Sequence, residues 1–384
     1  MEGRQSESKG SLKEAKLYKK LHRSLVKCTA CKWYCVVPEG TVGICGVRAN
    51  IGGKLYLLVY NRPSSVAIDP IEKKPLFHVL PGSRIFSIGT VGCNFECKFC
   101  QNWEISQTPK ILKKQLIAEG KTKDYVETIM EFIDKVSGYL PVNEVPKILE
   151  EYGLHSIAFT YNEPTIFVEY AYDVMRQIES TGKNVLGVFV SSGYESDEAL
   201  NLVKDYIHAY NIDIKGPDDK FYKEYTGGID FNKVLDTVKK LKKQNKWVEV
   251  TTLLIPEANL NRRTIKEIAT FIKEVDPYMP WHLSAFYPAY KMLNTRPATP
   301  QEVLQAYEWA KEEGLHYVYT GNIVSEQTQS TYCHNCGNLL IARRGYSVSV
   351  EGIDLAKGTC KKCKATIPGI WNLGQIKKGN SPKE

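Results

Sequence analysis

No run of about 18 or more apolar residues occurs anywhere in the 384-residue chain, so no membrane span is expected. Met1 to Lys16 is polar and has no apolar core, so a mobile tail over residues 1–20 is expected rather than a secretory signal. No cysteine is left over for a disulfide framework. The 11 cysteines fall into three groups at metal-ligand spacings: Cys28, Cys31, Cys35 and Cys45; then Cys93, Cys97 and Cys100; then Cys333, Cys336, Cys360 and Cys363. That grouping, without a signal segment, points to a metalloprotein of a reducing compartment, and cytoplasmic is the expected location. The middle group also lacks a fourth member.

What is present is an ordinary globular balance, 43% hydrophobic and 24% charged, able to bury a sizeable core. The formal net charge is +8, with one dense run at Lys239, Lys240, Lys242, Lys243 and Lys246. On a helix such a run reads as a solvated face, and nucleic acid is not the expected partner. The same charge suits an acidic electron donor such as a reduced ferredoxin or flavodoxin.

The middle group carries the strongest chemical signal. Gly92-Cys93-Asn94-Phe95-Glu96-Cys97-Lys98-Phe99-Cys100 has the spacing C-x3-C-x2-C and follows an apolar strand. Three thiolates hold three irons of a [4Fe–4S] cluster and leave the fourth open to bind a substrate. A zinc knuckle prefers C-x2-C pairs and four ligands in all. The loop resembles that of the radical S-adenosylmethionine enzymes. The resemblance implies S-adenosylmethionine on the open iron, its reductive cleavage to a 5′-deoxyadenosyl radical, and hydrogen abstraction. The cofactors carry that chemistry while the protein positions them and excludes water.

From residue 84 to 325, short β-branched runs alternate with amphipathic stretches. Strands are expected at Arg84–Val91, His155–Tyr161, Val185–Ser191, Ala209–Ile214, Trp247–Leu254, His282–Phe286 and Tyr317–Thr320. Repeated βα alternation predicts an α/β fold with a parallel sheet. The resemblance implies closure into a partial (β/α) barrel, with reactive groups at the C-terminal strand ends. Residues 111–140 are richly charged and read as a helical insertion. Residues 21–83 read as an N-terminal four-cysteine segment, 326–372 as a small C-terminal zinc-ribbon-like module, and 373–384 as a flexible tail.

Several strand ends carry candidate cofactor contacts. Tyr161-Asn162-Glu163-Pro164-Thr165 ends one strand, and its carboxylate can take charge-assisted hydrogen bonds from a methionyl ammonium. Glu163-Pro164 is similar to the end of the Gly-Gly-Glu-Pro-like element of the superfamily. Ser191, Ser192, Asp213 and Lys215 follow, the last two on one face of their strand by period-2 alternation. Phe99 in the cluster loop, Asn162, and His282 complete the candidate cofactor contacts, and Leu254-Ile255-Pro256 offers apolar contact to adenine. The run Asp69–His78 can line the substrate side, with Lys73, Lys74 and His78 as candidates; a structural turn with satisfied charges explains it equally simply.

The ordered set Asp69–His78, Pro81-Gly82-Ser83, Gly92–Phe95, Cys100-Gln101-Asn102-Trp103, Tyr161–Thr165 and Tyr319-Thr320-Gly321-Asn322 narrows the resemblance. It is similar to the radical SAM protein of the AmmeMemoRadiSam system, a pyruvate formate-lyase activating-enzyme-like group. That resemblance implies a protein substrate attacked at a glycine, and Memo-like and AMMECR-like companions. Radical modification of a small molecule or RNA is the alternative, and a non-catalytic iron–sulfur and zinc scaffold or electron carrier is a third, because fold and cofactor do not transfer substrate identity.

Cys333-x2-Cys336 and Cys360-x2-Cys363 flank two alternating runs, the pattern of a zinc ribbon, with rubredoxin-like iron as the other metal for four thiolates. Cys28-x2-Cys31-x3-Cys35-x9-Cys45 is less regular, and both zinc and a second iron–sulfur cluster fit four thiolates.

Overall fold

The parallel strands of the main sheet are short, largely apolar runs buried on both faces, as parallel strands with helices outside must be. The computed structural model describes residues 12–376. The main sheet contains β1 (Ser65–Pro70), β2 (Arg84–Gly89), β3 (Ser156–Phe159), β4 (Leu186–Ser191), β5 (Ala209–Asp213), β6 (Trp247–Leu254), β7 (Trp281–Ala285) and β8 (Val318–Gly321), in that spatial order. From β2 to β8 every pairing is parallel, while β1 runs antiparallel along the edge of β2. The expected α/β parallel sheet is present, and the expected strands recur with ends moved by a residue or two.

The outer helices are set by local chemistry. Ser196, Asn261 and Thr299 each accept a backbone N–H at a helix start, and Thr299 with Glu302 forms a reciprocal capping box. The lysine run lies on the helix Phe231–Lys243, where Lys240 pairs with Asp197 (2.5 Å) and Lys242 with Asp276 (2.7 Å). Residues 111–140 contribute to two helices, Thr108–Ala118 and Tyr125–Val136, the second burying Ile129 and Ile133. Among the described residues no helix is long and apolar enough to cross a membrane.

β1 and β8 do not pair, so the sheet is a barrel with an open seam. The chain between β1 and β2 fills the seam from inside. Phe77 packs its ring against His282 (4.7 Å) and Tyr319 (4.8 Å), and the backbone amides of Phe77 and His78 donate to Glu249 at 2.9 and 2.8 Å. From the far side, Arg343 donates to the Phe77 carbonyl (2.6 Å), His78 lies 2.7 Å from the Pro368 carbonyl, and Val79 bridges to Ile370. Arg343 sits in the hairpin Leu339–Arg344 and Ser347–Val350, so the four-cysteine module is the outer half of the plug.

Two stretches expected as tails are partly ordered. Lys13–Glu14 pairs with Lys54–Leu57, and Tyr18–Lys20 pairs with Val26–Cys28. Leu373–Gln375 is a 3-10 turn capped by Asn372. The rest of the two expected tails, residues 1–11 and 377–384, lies outside the described residues.

Candidate active site at the C-terminal strand ends

The cysteine loop leaves β2 through Gly89-Thr90-Val91-Gly92. Gly92 has φ +91°, and a Cβ there would stand 2.6 Å from the Cys45 carbonyl, so only glycine fits. Cys93 and Cys97 are buried and Cys100 is half-buried. The loop is clamped from several elements. Glu96 and Lys98 amides donate to Thr226 and Tyr225 at 2.9 Å, Gln107 donates to the Phe95 carbonyl at 3.1 Å, and Lys110 also donates to it. Burial pushes the Cys97 thiol up to about 12, and burial likewise raises Cys93. Loss of these protons therefore needs nearby positive charge; Lys215 and Lys110 supply part of it and bound iron would supply more.

Glu163 follows β3 and is fully buried. Its carboxylate accepts the Ser191 hydroxyl (2.7 Å) and the Ser192 amide (2.9 Å), so three of the expected residues form one unit. Burial, with Glu195 beside it, raises Glu163 to about 8 despite those two hydrogen bonds. Both carboxylate oxygens of Glu195 are buried with no hydrogen-bond partner. The two acids are buried side by side, with Lys215 drawing on Glu163 and Lys32 on Glu195.

Lys215 continues from β5 and bonds Asp213 at 2.7 Å, on the one face that alternation predicts. Its Nζ lies 5.9 Å from the ring centres of both Phe95 and Phe99, which brings this pair against the cysteine loop. Burial works against the Lys215 charge, but Asp213 and the Cys97 sulfur outweigh it and raise the ammonium well above its usual range. Asn259 ties the ends of β5 and β6 together, donating to the Lys215 and Leu253 carbonyls at 2.8 Å and accepting the Ile255 amide at 2.6 Å. Leu254, Ile255 and Pro256 are buried behind it.

Two expected contacts have protein partners of their own. Asn162 turns to the cysteine loop, donating to the Gly92 carbonyl (2.8 Å) and Thr90 hydroxyl (3.1 Å) and accepting the Thr90 amide (3.3 Å). Its side chain is fully used in holding that loop. His282 is the second residue of β7, bonded to Glu249 (2.6 Å) and packed on Phe77, and it lines a cavity of about 320 Å³ with Phe77 and Ser284.

The run Asp69–His78 divides. Asp69 binds Lys74 (2.6 Å), Lys73 (2.9 Å) and the Tyr161 hydroxyl (2.6 Å); burial opposes its ionisation, but these three bonds hold its carboxyl well below the usual range. Lys74 is thereby consumed, while Lys73 is half exposed and lines a cavity of about 320 Å³ with Glu72, Phe77, Ser284, Asn322 and Tyr346. The cavity opens where β7 and β8 end.

The residues present fit an open-iron cluster with an amino-acid-bearing cosubstrate. Two buried thiols and one half-buried thiol lie at the strand ends, two buried carboxylates stand side by side, and Lys215 pairs with Asp213 yet faces the loop. At the C-terminal module, Cys333 and Cys363 sulfurs lie 3.5 Å apart, Cys336 and Cys360 3.8 Å, and all four within 4.8 Å of one another. A tetrahedral ion with bonds of about 2.3 Å sets sulfurs about 3.8 Å apart, so this quartet fits one metal ion.

Residues 87–272 match the family described as the Radical SAM superfamily. The chain is 37% identical over 360 residues to the uncharacterised protein MJ0808 of Methanocaldococcus jannaschii, covering 93% of this chain and 99% of that one. It is 25% identical over 226 residues to MJ1632 of the same organism, covering 58% of this chain and 74% of that one. MJ1632 is provisionally named a glycyl-radical enzyme activating enzyme. Among solved structures, Streptococcus suis SuiB bound to S-adenosylmethionine aligns at 10% identity with a TM-score of 0.45, over 66% of this chain and 53% of that one.

Proposed function

The chain belongs to the Radical SAM superfamily, and from that premise we propose that it is a glycyl-radical activating-enzyme-like member of the AmmeMemoRadiSam group. The observation that carries this reading is the meeting of Cys93, Cys97 and Cys100 with the buried Glu163–Ser191–Ser192 unit and with Lys215. A [4Fe–4S] cluster on the three thiolates, with S-adenosylmethionine at its open iron, supplies reductive cleavage to a 5′-deoxyadenosyl radical that takes hydrogen from a substrate.

The protein's own residues bind and orient. Glu163 and Glu195 receive the methionyl ammonium, whose charge favours the ionised form of both acids. Lys215 holds the methionyl carboxylate beside the loop, and Asp213, the more open of the pair, reaches the ribose hydroxyls. Phe95 and Phe99 exclude water from the thiolates. The C-terminal quartet holds zinc and fixes Arg343 in the seam. A reduced ferredoxin or flavodoxin supplies the electron, in a cytoplasmic setting with Memo-like and AMMECR-like companions.

The cavity of about 320 Å³ favours a second reading, a small-molecule substrate, since that volume is at the small end of ligand sites. Anaerobic reconstitution followed by S-adenosylmethionine and dithionite tests the first step. 5′-Deoxyadenosine should form, and Cys97→Ala should abolish it; unchanged cleavage in that variant sinks the assignment. Transfer of deuterium into 5′-deoxyadenosine from a labelled peptide or a labelled small molecule then separates the two substrates.

A further inference from the structure

We propose that the helix Thr108–Ala118 and the loop after β7 form the seat of an acidic one-electron carrier protein, against the outer side of the cysteine loop. The proposal rests on the radical SAM reading, since that chemistry needs an electron from outside. One electron leaves the reduced carrier for the cluster, and no bond is made or broken. The first argument is position. A cavity of about 440 Å³ is walled by Lys110 and Lys114 of the helix and by Tyr290 and Lys291, with Glu96 of the cysteine loop between them. Lys114 and Lys291 are exposed, so the cavity opens to solvent. Both walls are bonded to residues on either side of Cys97. Lys110 donates to the Phe95 carbonyl, and the Lys291 amide donates to the Lys98 carbonyl at 3.0 Å. Cys97 itself is buried. A protein seated on these walls therefore meets the loop at the residues that adjoin that sulfur.

The second argument is charge. Glu96 is the only acid among the residues lining the cavity, and Lys114 pairs with it at 3.1 Å. Lys291 instead rests its ammonium over the Tyr290 ring at 5.1 Å, and Lys98 rests its own over the Tyr225 ring at 5.2 Å. A cation on an aromatic face keeps its full charge. The rim thus has positive charge to offer the carboxylates of a partner, which speeds encounter and fixes orientation. Apolar contact is available at the same place: Tyr290 stacks on Trp103 at 5.4 Å, and Leu293, three residues on, is 68% exposed.

The third argument concerns the rival face. The run Lys239–Lys246 ends the helix Phe231–Lys243 and leads straight into β6, so it stands at the N-terminal ends of the strands. The cysteine loop stands at their C-terminal ends. The two are a strand length apart, roughly 15–25 Å for the five to eight residues of β5 and β6. Lys240 and Lys242 are also already paired with Asp197 and Asp276. The densest run of lysines is thus not the one that can serve the cluster.

The test uses the full chain with its metals loaded and flavodoxin as the probe. Calorimetry reads the binding of oxidised flavodoxin, which transfers no electron. Lys114→Glu/Lys291→Glu should weaken that binding about tenfold or more. Lys239→Glu/Lys243→Glu, at the far end of the barrel, should change it by less than about twofold. Dithionite-driven formation of 5′-deoxyadenosine should stay at the wild-type level in both variants, because a small reductant needs no seat. Cleavage driven by reduced flavodoxin should show a raised KM for flavodoxin in the first variant alone. Carbodiimide coupling of wild-type lysines to flavodoxin carboxylates should map to Lys98, Lys114 or Lys291, and this map decides if the first variant misfolds. Coupling confined to other lysines, equal losses in the two variants, or no binding by the wild type overturns the proposal. If flavodoxin couples at this seat but dithionite yields no 5′-deoxyadenosine, the radical reading fails while the seat stands.

Discussion

Removing Arg48 should be among the most damaging single changes in the protein. Its guanidinium grips Glu169 through two bonds of 2.7 and 2.6 Å, with the side chains 2% and 0% exposed. Glu169 also accepts the backbone amides of Lys16 (3.2 Å) and Leu17 (3.1 Å), so one carboxylate ties the N-terminal strands to the barrel helix Val168–Ser180. Arg48→Met leaves that carboxylate buried without a counter-ion, at a cost of about 3–5 kcal/mol. Glu169→Leu strands the guanidinium and two amides and should cost about as much. The pair Arg48→Met/Glu169→Leu removes both charges and leaves unmet only the two amides and the Ile166 carbonyl, which accepts from Arg48 at 3.1 Å, at about 1–3 kcal/mol each. It should therefore lose clearly less than the sum of the single losses. Urea denaturation of the metal-loaded protein measures this, provided the slope with urea is unchanged. Burial opposes ionisation of Glu169, but Arg48 outweighs it and holds the carboxyl below its usual value. Its stabilisation is therefore full above the unfolded carboxylate pKa, about 4.3, and fades as pH falls through the folded one. The advantage of wild type over the double variant should shrink in acid. A loss under about 1 kcal/mol for Arg48→Met, or single losses that simply add in the double variant, would refute the reasoning.

Gly92→Ala forces a side chain onto φ +91° and against the Cys45 carbonyl. It should cost about 1–3 kcal/mol and lower iron loading at Cys93, read by thermal melting and iron per chain. Burial and then Glu195 raise Glu163 in the ligand-free protein to about 8, so the folded state holds a proton that the unfolded state gives up near 4.3. Its contribution to stability therefore falls as pH rises between those values. Glu163→Gln lacks that slope and should gain on wild type in melting temperature from pH 5 to about 8; parallel curves would contradict it.

How much of this could be read from the chain depends on how local each signal is. The strands β2 to β8 were legible because burial on both faces writes a continuous apolar run. β1 was not, since Ser65–Pro70 lies at the edge with Val66 exposed and its residues do not form such a run. Cysteine spacing named the metal groups, and alternation paired Asp213 with Lys215. Glu195, Glu249 and the Arg48–Glu169 pair were missed, because the residues they stand beside are far away in sequence. Glu249 did leave a trace: an acid in Trp247–Leu254, an otherwise apolar run, calls for a buried partner. The partners of His282, Glu249 and Phe77, are likewise visible only once the seam is assembled.

The seam also sets an order of events in synthesis. Phe77 and Arg343 are 266 positions apart, and His78 and Pro368 are 290 apart. A chain that emerges from its N-terminus makes Cys93, Cys97 and Cys100 long before Arg343 exists to lock the plug. Contacts so distant in sequence form late, after a large loop-closure cost. The plug is therefore locked only after the cysteine loop and all eight strands of the main sheet have been made.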